Sequence, residues 1–126
     1  MRLWIVFLFS LFFIPTDSFG QVDHWETVVY EDDTWKYLIP TSPVSNSWNT
    51  IGFNDASWNS GSGGFGYGDG DDNTVIPATT SCFQRIVFNI IDINAIDQVI
   101  LNIDYDDAVV AYLNGVEISR DNITSA

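Results

Sequence analysis

Basic side chains are scarce in this chain. Four lysines and arginines stand against 17 acids, a net charge of −13 at neutral pH. Such a surface repels phosphate backbones and anionic lipid, which excludes nucleic acid as a partner. Cysteine is rarer still. With Cys82 alone no internal disulfide forms, so an extracellular fold must rest on packing or on a metal. One histidine, His24, beside one cysteine cannot furnish a structural zinc site. Catalytic signatures are missing too. There is no G-x-S-x-G, no H-E-x-x-H and no Walker loop. The glycines at 64, 66 and 68 lead into acids rather than into a lysine and a helix, so they do not cradle phosphate. Paired carboxylates can cleave glycosides, but a chain this short leaves little room for the cleft that reaction needs. No segment sustains a helical period, which excludes bundles and coiled coils. The composition therefore points to a non-catalytic, strand-rich domain.

The N-terminus carries an export pattern. Arg2 precedes the apolar run Leu3–Ile14, Pro15 breaks it, and Ser18 and Gly20 place small residues before a cut between Gly20 and Gln21. Residues 1–20 read as a secretory signal peptide. The run is short of the ~20 apolar residues that cross a bilayer, so no membrane span is expected once it is removed. A secreted or cell-surface location follows. Removal takes away one cation, Arg2, and one acid, Asp17, and the charge stays at −13. Residues 21–126 suffice for one small domain with one core. Their acids cluster at loops, and the 15% aromatic content argues against disorder.

Strand signals recur along this domain. Thr27–Tyr30 and Trp35–Ile39 are β-prone runs separated by Glu31, Asp32 and Asp33, and Pro40 ends the second. Residues 41–63 read as a long connection anchored by Trp48, Phe53 and Trp58, and 61–70 as a glycine-dense loop. Cys82 reads as a small buried side chain where a strand begins. Alternation predicts strands over Arg85–Ile90 and Val99–Asp106, with a turn at Ile93–Ile96 between them. Val109, Ala111 and Leu113 form the expected inward face of the next strand. Asn114-Gly115 then marks a hairpin, because both residues tolerate the positive φ of a type I′ turn. Strands joined by loops, with no helices between, indicate an all-β antiparallel sandwich. Residues 121–124 are polar, and the expectation is that closing strands lie in a continuation beyond Ala126.

Three groups of side chains carry candidate chemistry. Asp69, Asp71 and Asn73 present alternate oxygens on a glycine-containing loop, a donor set suited to Ca2+. The spacing is not an EF-hand, since Thr74 stands where glycine is needed and Thr80 where the bidentate glutamate belongs. The other reading of this loop is a solvated acidic turn. Asp104, Asp106 and Asp107 gather at a strand end, where like charges call for water or a cation, or where one carboxylate caps the turn. Trp58 and Tyr67 lead the aromatic candidates for stacking on a sugar face, against core packing as the alternative. Tyr67, flanked by glycines, is the one best placed for exposure.

The order of motifs resembles a known module. Trp35, Trp48, Phe53-Asn54-Asp55 and Trp58 are followed by Gly64-Phe65-Gly66-Tyr67-Gly68-Asp69-Gly70-Asp71, then by Phe83-x-Arg85-x-x-Phe88. Tyr105-Asp106-Asp107-Ala108 and Tyr112-Leu113-Asn114-Gly115-Val116-Glu117-Ile118-x-Arg120-x-Asn122 complete the series. Across residues 25–122 the chain is similar to the galactose-binding-like jelly-roll modules of large secreted bacterial proteins. Those modules sit beside CotH-type kinase, lamin-tail and metallophosphoesterase domains. The chain departs from the pattern at Ala108, where glycine is usual, and at Cys82, where an aromatic is common. The resemblance implies a jelly roll and is not specific to a ligand. With the acidic loop and the aromatic candidates, the leading expectation is an accessory module that binds carbohydrate or a matrix component, with Ca2+ as the candidate ion; the alternative is a spacer that docks downstream domains of the same protein.

Overall fold

The computed structural model describes residues 24–124. The signal-peptide reading, with its cut between Gly20 and Gln21, lies outside them. The fold is all-β, with no α-helix among the described residues. Strand β1 spans Thr34–Leu38, β2 Asn59–Ser62, β3 Phe65–Gly66, β4 Thr74–Val75, β5 Phe83–Arg85, β6 Val109–Leu113 and β7 Val116–Asp121. β1 is the centre of an antiparallel sheet in the order β2-β1-β5. β3 and β4 make a short parallel pair, and β6 and β7 a hairpin.

β1 forms where expected, because Trp35, Tyr37 and Leu38 supply β-prone side chains. β2 lies inside the stretch that reads as a connection. Its sequence Asn-Ser-Gly-Ser has no β-prone side chain. It is held by its partners instead. It pairs with β1 in register, and Thr74 Oγ1 donates to the Ser62 carbonyl at 2.6 Å. Gly61 permits that approach, since a Cβ there would meet Thr74 Oγ1 at 2.6 Å. β3 and β4 likewise arise from contacts within the glycine-dense loop and the stretch after it.

The core is small and aromatic. Trp48 stacks near Trp58 at 6.4 Å and meets Phe83 and Tyr112 edge-on at 5.0 and 5.6 Å. Phe53 abuts Trp58 at 5.6 Å. Consecutive turns between Ser45 and Trp58 carry Trp48, Phe53 and Trp58, with hydrogen bonds such as Trp48 N to the Ser45 carbonyl at 3.0 Å, while β5 and β6 supply Phe83 and Tyr112. Arg85 clamps this loop to β5. Its Nε donates to Asp55 at 3.0 Å, and its Nη1 donates to the carbonyls of Trp48 and Thr50. The guanidinium lies 5.2 Å from the Phe53 ring centre. Arg85 is thus a buried bracket rather than half of a surface pair.

The hairpin is as expected. Asn114 and Gly115 both have positive φ, 52° and 86°. Its facing is not. A register shift between Ala111 and Tyr112 reorients the strand, as an irregular ladder does. Tyr112 then meets Trp48, and Leu113 turns outward. Three other expectations also fail. Thr27–Tyr30 forms no strand, β5 stops at Arg85 rather than running to Ile90, and 99–106 forms no ladder. Alternation shows that a segment suits a strand, but a ladder needs a partner, and none pairs with these segments among the described residues. Ile93–Ala95 is a 3₁₀ turn in which Asp92 accepts from Asn94 N at 2.9 Å.

Candidate functional site

The loop from Tyr67 to Asn73 joins β3 to β4, and both of its ends are pinned. Thr74 N donates to the Gly64 carbonyl and Ile76 N to the Gly66 carbonyl, each at 2.9 Å. Ile76, directly after β4, is buried. Asn73 Nδ2 donates to the Gly63 carbonyl at 2.9 Å. Gly68 and Gly70 take φ of 98° and 89°, a left-handed backbone that folds the loop back on itself.

This folding brings Asp69, Asp71 and Asp72 together, with one oxygen of each within 4.8 Å of the others. Asp72 is a member that alternate spacing did not identify. Asn73, expected as the third ligand, instead spends its amide on the loop base. The reason lies in Gly66. A Cβ there would collide with the Asp72 carboxylate, so glycine makes the space in which that carboxylate turns inward. Glycine at 66, within the glycine-dense run, was the available signal.

The electrostatics follow from the crowding. Burial, then the charges of Asp69 and Asp71, push the Asp72 carboxyl above its ordinary range. Hydrogen bonding from Asp71 and backbone amides holds Asp69 below its own. Such a site gains from a cation. Two oxygens on one Ca2+ stand at most ~5 Å apart, given bonds of about 2.3–2.6 Å, so the observed spacing fits. Solvent would complete the shell, because Asp69 and Asp71 are exposed. Tyr67, at the loop's entry, is 53% exposed.

Trp58 is a correction. It is only 7% exposed and stands inside the aromatic core, so it offers no face to a ligand. Its apolar bulk and its neighbours Trp48 and Phe53 give it more contact there than a solvent position would. Asp104, Asp106 and Asp107 are exposed but do not converge as a metal group among the described residues. Asp106 Oδ1 accepts from Asp107 N at 2.9 Å, and Asp107 has φ of 69°. The left-handed residue is thus Asp107 itself, a type that tolerates this backbone, and Ala108 escapes it. The hydroxyl of Tyr105 donates to Asp121, and that carboxylate pushes the phenol above its ordinary range. Cys82 is half-buried just before β5, where burial pushes the thiol above its ordinary range and disfavours the thiolate. No family model matches the chain, and no curated protein or solved structure does either.

Proposed function

We propose that the chain is a non-catalytic binding module, exported by its N-terminal segment, with a jelly-roll type of β-sandwich as its architecture. Its ligand is a carbohydrate or another neutral, hydroxyl-rich matrix polymer, held at the Tyr67–Asp72 loop with Ca2+. The observation that carries this reading is the convergence of three carboxylates beside an exposed tyrosine on a loop pinned at both ends. A cation there offers coordination to sugar hydroxyls, and the ring offers an apolar face to the C–H side of a pyranose. The charge of −13 favours neutral ligands over anionic ones. An array of neutral and acidic polysaccharides, probed with and without Ca2+, tests it. Binding should require Ca2+ and fall about tenfold in Tyr67→Ala, the value of one lost aromatic contact. Failure to bind any glycan in either condition would remove the proposal.

A further inference from the structure

We draw no further inference here: the strongest candidate, the aliphatic groove that Val99, Leu101 and Ile103 form with Leu113 and Ile118 of the β6–β7 hairpin, is an unpartnered apolar face, and nothing in the structure shows what covers it.

Discussion

Asp72 shows how one position shapes the chemistry of a loop. Its carboxyl titrates above the ordinary value of 3.8, because burial and two like charges oppose its ionisation. The native state therefore holds this proton more tightly than the unfolded chain does, and stability falls as pH rises through the interval just above 3.8. Glu117 works in the other direction. Arg120 holds it below its ordinary value of 4.5, so its contribution is present above that value and lost as pH falls. Comparing the wild type with Asp72→Asn isolates the first effect. Without Ca2+, the variant should melt at the higher temperature above pH 5 or so, and the difference should vanish as pH drops below the ordinary carboxylate range. With saturating Ca2+ the order should reverse, since the variant loses a charged ligand. Calorimetric melting across pH, with and without the ion, reads both. An unchanged order in Ca2+ would show that Asp72 contacts no cation.

At the scale of elements, the legible features were those with local causes. Asn114-Gly115 makes its own turn, so the hairpin formed where expected. Trp35–Ile39 carries enough β-prone side chains to become β1. What was illegible depended on distant partners. Asn59–Ser62 became β2 because β1 and Thr74 hold it, and nothing in its own composition says so. The convergence of Asp72 depended on the space at Gly66, which a search for alternate ligands passes over. Conversely, Val99–Asp106 alternates well and still has no ladder, because alternation records suitability and not pairing. Arg85 belongs here as well. Its strand position was readable, but its role as the bracket of the Ser45–Trp58 loop is a tertiary fact. Its side chain is 8% exposed and that of Asp55 24%. Arg85→Ala strands this carboxylate and the carbonyls of Trp48 and Thr50, and should cost roughly 2–4 kcal/mol. Arg85→Lys keeps the charge but cannot bond all three acceptors, and should recover only part of that loss. Urea unfolding followed by tryptophan fluorescence measures both. A loss under ~0.5 kcal/mol in Arg85→Ala would place the pair among ordinary surface contacts.

The molecule as a whole balances a small core against a large charge. Among the described apolar residues only Trp58 and Ile76 are buried, and no side chain is fully enclosed. Against this stands the self-repulsion of 17 acids and four bases. A core of this size leaves stability sensitive to anything that relieves the repulsion. Simple salt should do so generally, since the Debye length falls from ~30 Å at 0.01 M to ~10 Å at 0.1 M. On the proposed reading, in which calcium binds the native loop and not the unfolded chain, it should add a second, saturable gain. That gain grows as the logarithm of ligand over dissociation constant, about 2.7 kcal/mol at a hundredfold excess. Melting the chain in NaCl, MgCl2 and CaCl2 at matched ionic strength separates the two effects. The melting temperature should rise with salt in all three and rise further in CaCl2, and Asp71→Asn should erase only the further rise. If the three salts coincide at every matched strength, the carboxylates at 69, 71 and 72 contribute repulsion alone, and the loop is a solvated turn rather than a calcium site.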